Sequence, residues 1–243
     1  MDIVEITDII MDTHEDPVLQ EAEAIMGEQA AKTVEVIRYG ILKACTNVFY
    51  ANSVATRALT LAVPARADQR KIIRALERQE AAHITSVLRS TPSFNTENVQ
   101  ACFVGLCHVD LKSDIRGLTG FIDAKDYGSL TPWPTEVGAC EDVRYLTSTI
   151  FTSYADAGST TTGKITTAGV GCDIYPILYI GRDAYGIVAL KGEFAITPMV
   201  INPNTPSKSD PLGQRGSVSW KTMQTAVILN DAWMAVLEAA CTL

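Results

Sequence analysis

Apolar positions near the front of the chain recur every three or four residues: Leu19, Ala22, Met26, Ala30, Val34, Ile37, Ile41, Cys45 and Val48. Eight steps cover 29 residues, or 3.6 per step, the period of an α-helix with one continuous apolar face. Asp16 before Pro17 supplies an N-cap and a residue suited to the first helical turn. The spacing predicts a helix over 17–49, roughly 50 Å long at ~1.5 Å per residue. Gly27 and Gly40 weaken it and would mark close packing or a bend. A second helix is predicted over 65–88, after Pro64, with Ile72, Ile73 and Leu76 on one side. Arg66, Arg70, Arg74 and Arg78 fall at every fourth position and form a separate basic stripe.

From Thr91 onward the pattern changes to short apolar runs between turns. Strands are predicted at 99–107, 143–151, 174–180, 186–190 and 194–201, with a short helix near 110–116 and a Gly/Ser/Thr-rich loop over 154–171. A polar loop over 202–216 holds Pro203, Pro206 and Pro211. Two apolar runs in the tail flank Asn230-Asp231, which suits a tight hairpin turn. Long helices followed by many strands make the fold class α+β, not alternating βαβ.

The 243 residues are enough to bury roughly 70–75% of the unfolded surface without disulfides or metal. Hydrophobic residues at 47% with 20% charged exclude a disordered or fibrous chain. The longest stretch free of Asp, Glu, Lys and Arg, 194–207, contains Pro198, Pro203 and Pro206, so no membrane helix is expected. The first residues have neither the basic start nor the apolar run of a secretory signal, which points to a cytoplasmic protein. Net charge is −8, against specific nucleic-acid recognition through phosphate contacts. The charge is uneven: residues 1–64 carry 10 acidic and 4 basic groups, whereas 65–90 carry 3 and 6. No two of the six cysteines stand as C-x-x-C, so reduced, mostly buried thiols are expected and no metal site.

Chemical motifs are few. Gly158 to Lys164 satisfies G-x-x-x-x-G-K, but the next residue is Ile165, where a P-loop needs Ser or Thr for magnesium. Nucleotide binding or hydrolysis at this loop is the alternative reading, and a surface loop the simpler one. His14 sits among Asp12, Glu15 and Asp16, but acidic groups just before a helix are already stabilised by its N-terminal dipole. His108 and Asp110 could form a catalytic pair, yet no nucleophile is in view. Neither G-x-S-x-G, H-E-x-x-H nor G-x-G-x-x-G is present, so no catalytic residue and no cofactor is assigned.

Several segments point to a family when taken together. They are Thr13 to Leu19, Leu42-Lys43-Ala44 with Asn47 to Ala51, Arg70 to Arg74, His108 to Leu111 with Ser113 to Arg116, and Ile180 to Gly186. Most specific is the tail: Asp210-Pro211-Leu212-Gly213-Gln214-Arg215-Gly216, then Val218 to Lys221 and Ala226 to Asp231. In this order they resemble the major capsid proteins of tailed bacteriophages, in the branch named after phage N-four.

That resemblance implies the Hong Kong 97-type coat fold, with a long spine helix and sheet in a peripheral lobe and a mixed α/β axial lobe. On this mapping, 1–93 hold the peripheral helices with the spine helix at 65–88. Residues 94–200 form the axial lobe, and 201–243 return to the periphery. It implies a structural subunit, not an enzyme, that joins copies of itself into hexamers and pentamers of an icosahedral head. Other phage head proteins would be further partners, and the location would be the virion, with the bacterial cytoplasm during assembly. The family's N-terminal arm and extended hairpin have no counterpart here, so a truncated or prophage-derived form that assembles poorly is expected. Arg66, Arg70, Arg74 and Arg78 are the interface candidates, with Glu21, Glu28 or Glu35 as acidic partners in the same or a neighbouring chain. Gln214 and Arg215 are weaker interface candidates, a local turn network being an equal explanation.

Overall fold

Two apolar runs without alternation set the middle of the largest sheet. Every residue of Ile174–Ile180 and of Met234–Ala240 is buried, as strands covered on both faces must be. The computed structural model describes residues 2–13, 18–86, 99–127, 131–160, 162–189 and 196–243. In chain order the front elements are β1 (Asp2–Thr7), α1 (Asp8–Thr13), α2 (Val18–Leu42), β2 (Val48–Tyr50) and α3 (Arg66–Arg78). Next come β3 (Phe103–His108), α4 (Lys112–Arg116), β4 (Phe121–Asp123), β5 (Glu136–Cys140) and β6 (Val143–Ser148). The remaining strands are β7 (Ile174–Ile180), β8 (Tyr185–Ala189), β9 (Thr197–Ile201), β10 (Arg215–Lys221), β11 (Gln224–Ile228) and β12 (Met234–Ala240). Short 3-10 turns link several of them.

The chain divides into two compact units, Met1–Arg38 with Ile187–Ala226, and Tyr39–Gly186 with Val227–Leu243. These do not follow the consecutive segments 1–93, 94–200 and 201–243 expected from the sequence. Strand pairing between distant parts of the chain decides the division. β1 pairs with β10 over six positions, and β12 lies between β2 and β7.

The larger unit holds a seven-stranded mixed sheet in the order β2-β12-β7-β3-β6-β5-β4. Ile72, Ile73 and Leu76 of α3 cover one face, packing with Tyr179, Ile177 and Leu237. Tyr39, Leu42 and Cys45 pack with Leu178, Ile180, Met234 and Val236 on the alternate positions. Gly105 of β3 is a space requirement: a Cβ there would lie 2.8 Å from the Tyr145 ring. Pro176 falls where β3 no longer runs beside β7, so its missing N–H breaks no β3 ladder bond.

The smaller unit is thinner. Its sheet, in the order β1-β10-β9, carries α2 on one face. Met26 and Ala30 of α2 pack with Val218 and Trp220 of β10. Pro198 sits on the edge strand β9 opposite Trp220, a position where a missing N–H is tolerated. Gly27 and Gly40 meet open space where a Cβ would be, so of the two readings, close packing or a bend, close packing does not hold at either.

Three further expectations are corrected. The helix expected over 17–49 ends at Leu42. Cys45 and Val48 continue its spacing by chance, because Val48-Phe49-Tyr50 instead pairs with Val236-Leu237-Glu238 of β12; Asp16 and Pro17 lie outside the described residues. The helix expected over 65–88 spans only Arg66–Arg78. Glu80 is left-handed at φ 57°, and the Ala81 N–H donates back to the Leu76 carbonyl at 3.1 Å, a helix stop. Residues 87–88 lie outside the described residues. Asn230-Asp231 is not a hairpin turn, since β11 pairs with β8 and β12 with β2 and β7. The Asn230 side chain accepts from the Ala232 N–H at 3.0 Å and starts a 3-10 turn, and the Asp231 carboxylate accepts from the Thr46 N–H and hydroxyl.

Candidate subunit interface

The arginine stripe is positioned by its opposite face. On α3, Ile72, Ile73 and Leu76 enter the core, and Gln69 bridges the buried Cys140 carbonyl at 2.6 Å and the Tyr145 hydroxyl at 3.1 Å. Asp68 accepts from the Asn52 N–H at 3.2 Å. With that side fixed, the arginines at every fourth position must face outward.

Within the larger unit, Arg66 and Arg70 pair with Glu141. Glu141 and Asp142 form the two-residue turn between β5 and β6, with Glu141 left-handed at φ 51°. Arg66 donates from Nε to Glu141 at 2.7 Å, and Arg70 donates from Nε at 2.9 and 3.0 Å and from Nη2 at 2.5 Å. The Arg70 hydrogen bond holds the Glu141 carboxyl below its ordinary value, aided by Arg66 and opposed by partial burial. Glu35 pairs with Arg38 at 2.7 Å within α2. Arg74 and Arg78 are exposed and have no ion pair among the described residues. An open groove of about 520 Å³ runs beside Arg70, Arg74 and Glu77, bounded by Gln100, Ile122 and Asp142.

Gln214 and Arg215 are exposed at the start of β10. The Gln214 carbonyl accepts from the Asp8 N–H at 2.9 Å, and the Arg215 N–H donates to Asp210 at 2.9 Å. Asp210 thus ties the loop at 202–214 to the strand. Gly213 turns the same loop at φ 64°, where a Cβ would stand 2.9 Å from the Asn204 backbone.

Missing from the sequence reading was a second ion pair behind the same hairpin. Arg144 and Glu136 pair bidentately at 2.7 and 2.6 Å, with side chains 5% and 0% exposed. Glu136 also accepts from the Tyr127 hydroxyl at 2.6 Å, and the Arg144 guanidinium lies 4.0 Å from the Trp133 ring centroid. Charges spaced eight apart, on paired antiparallel strands, carry no recognisable motif.

At the loop from Gly158 to Lys164 the described backbone is already engaged. The Gly158 and Ser159 N–H groups donate to the Cys172 and Thr60 carbonyls. Lys164 bridges to Thr242, and the described chain after it leads into β7 with no helix. A phosphate cradle needs those N–H groups free at a helix start; residue 161 lies outside the described residues. His108 accepts from the Asp110 N–H at 3.2 Å and caps a turn, and its Nδ1 lies 3.0 Å from the Asp110 carboxylate, so the pair named from the sequence does meet. His83 packs tilted against Phe103 with ring centroids 4.4 Å apart, and His14 lies outside the described residues. All six thiols are free and buried, and burial pushes Cys45, Cys102 and Cys241 up to about 12. Among the described residues no His, Cys, Asp and Glu group could hold a metal, and no helix is long and apolar enough to cross a membrane.

No family model and no curated protein matches the chain. Solved structures do. The capsid of Ralstonia phage GP4 aligns over 99% of this chain and 73% of its own, at 11% identity and a TM-score of 0.69. The capsid of cyanophage Pam1 aligns over 98% and 73%, at 12% identity and 0.61. The SrpI encapsulin of Synechococcus elongatus aligns over 98% and 71%, at 15% identity and 0.51. The chain has the Hong Kong 97-type fold that these phage capsid proteins and the encapsulin share.

Proposed function

We propose that the chain is a structural coat subunit that assembles with copies of itself. The observation that carries this reading is the near-complete alignment of the chain onto phage capsid subunits. Apolar surface supports it. On the outer face of the β1-β10-β9 sheet, Ile3, Met199 and Ile201 lie in adjacent register rows and are each about half exposed. In an assembly a second copy covers that face, and the exposed Arg74 and Arg78 meet acidic groups of a neighbour, with Gln214 and Arg215 at the rim. Exposed ion pairs contribute only ~0–1 kcal/mol each, so they set register while apolar burial drives association.

The smaller unit, with the long α2 and its sheet, takes the part of the peripheral lobe, and α2 that of the spine helix expected at 65–88. The larger unit takes the axial lobe. Hexamers and pentamers, contact with other head proteins, and a place in the virion after assembly in a bacterial cytoplasm belong to the same proposal. Sedimentation across a concentration series, with electron microscopy of the heavy fraction, tests it. Oligomers that grow with concentration are expected, with closed shells few or absent, and Arg74→Glu with Arg78→Glu should move the onset to higher concentration. A folded chain that stays monomeric at every concentration and salt overturns the reading.

A further inference from the structure

One small cavity is lined by three residues that each carry a buried hydrogen-bonding atom without a partner. It lies in the smaller unit between the second half of α2 and the connection from β10 to β11, and its volume is about 100 Å³. Arg38 donates from Nη1 to Glu35 at 2.7 Å and from Nη2 to Gln224 at 2.5 Å, and its Nε is left without an acceptor. Trp220 is 5% exposed, and its Nε1 is likewise unpaired. So is the hydroxyl of Thr222. Among the described residues the other such atom is His83 Nε2, which belongs to the larger unit, so the clustering is local. Trp233 shows the ordinary outcome: its Nε1 donates to the Gln79 carbonyl at 2.9 Å.

Two of these three atoms can only donate, and the third can donate as well. Buried donors are rarely left without an acceptor, so the cavity is built for oxygen. Its size and charge narrow the choice. Arg38 is the one cation on the wall among the described residues, and Glu35 already offsets it. A dianion such as phosphate would lack countercharge. A carboxylate is planar, carries a single charge, and offers about four acceptor positions on two oxygens. Val34 and Ile37 form an apolar wall suited to the carbon that bears it. We propose that this cavity receives a carboxylate group. The group comes from a free small acid or from an Asp or Glu side chain of a second copy, and the site does not depend on the coat-subunit reading.

The three indole N–H groups of Trp133, Trp220 and Trp233 give separate reporters in 1H–15N spectra of the intact chain. Titration with sodium acetate at constant ionic strength should move the Trp220 indole resonance saturably downfield and leave that of Trp233 still. Thr222→Val should weaken the effect about tenfold by removing one hydrogen bond to a charged group. If the resonance already lies downfield without acetate, and moves on dilution in step with dissociation, the carboxylate belongs to a second copy. A Trp220 resonance unmoved by molar acetate and by dilution overturns the proposal in favour of a hydrated cavity. An equal response to phosphate overturns the carboxylate assignment. The wild-type titration decides by itself should Thr222→Val fail to fold.

Discussion

The two units solve the burial problem differently. In the larger one, β7 and β12 are covered on both faces, and large side chains such as Tyr145, Tyr179, Phe103 and Leu237 are fully enclosed. In the smaller one, the buried apolar residues among those described are Ile6, Met26, Ala30, Val34, Val218, Trp220 and Ala226. The same unit exposes Ile3, Ile9, Ile25, Val36, Ile37, Met199, Ile201 and Leu212. Single exposed apolar residues need no explanation, but a concentration of them in the unit with the thinner core does. The larger unit is stabilised by its own contacts. Among the described residues, the smaller one packs α2 on one sheet face and exposes Ile3, Met199 and Ile201 on the other.

The strongest challenge to this contrast is made inside the larger unit. Replacing Glu136 by Ala strands the Arg144 guanidinium, 5% exposed, without its bidentate partner. Removing one member of a buried pair costs about 3–5 kcal/mol. Urea unfolding should show a lower midpoint with an unchanged slope. A loss under about 1 kcal/mol would mean that water reaches this pair and that the larger unit is less closed than its burial implies. Replacing both partners by apolar residues of similar size should be far milder than replacing one.

A milder test belongs to the smaller unit and separates folding from association. Met199→Lys with Ile201→Lys changes side chains that are 48% and 51% exposed on the outer face of β9. Surface substitutions of this kind change stability by about 0.5 kcal/mol or less. The unfolding midpoint of the dilute chain should therefore stay close to that of the wild type, while the heavy species in sedimentation disappears. A large loss of stability in the dilute chain would show that this face is covered from within, and the contrast between the units would fail.

These tests involve groups that the sequence revealed to very different degrees. The 3.6-residue spacing from Leu19 identifies α2, and the unbroken apolar run Ile174–Ile180 is β7 to the residue. Both signals are local, because one element's own periodicity carries them. Helix ends were less legible. Cys45 and Val48 extend the α2 spacing, but pairing of Val48-Phe49-Tyr50 with β12, almost 190 positions away, overrides it. For the same reason the tail reads as a hairpin although its two runs join different sheets. At the candidate interface, α3 spacing yields the arginine stripe, but its partner Glu141 lies 71 to 75 positions away in a turn. Nothing in composition marks Glu141 above the other acidic residues. The cavity at Trp220 and Arg38 is less legible still, because it depends on which polar atoms remain unpaired after folding.

The smallest effect expected is at Glu141, and it bears on how firmly α3 is clasped to the β5–β6 turn. The Arg70 hydrogen bond, with Arg66 beside it, holds this carboxyl below its ordinary value of 4.5. In the unfolded chain neither guanidinium is fixed nearby, so the unfolded state takes up the proton first as pH falls. The folded state is therefore favoured fully above about pH 4.5, and that advantage is lost as pH drops through the lower folded value. In Glu141→Gln the contribution is absent. Its unfolding midpoint should lie slightly below that of the wild type at neutral pH, and the two curves should converge in acid. High salt should narrow the neutral-pH gap, because Arg70 is more than half exposed and ions screen it well. Two parallel curves, with the same gap at every pH, would assign the difference to packing of the turn and not to charge. The clasp would then be a bystander of the fold, and Arg66 and Arg70 would be as available to a neighbouring chain as Arg74 and Arg78.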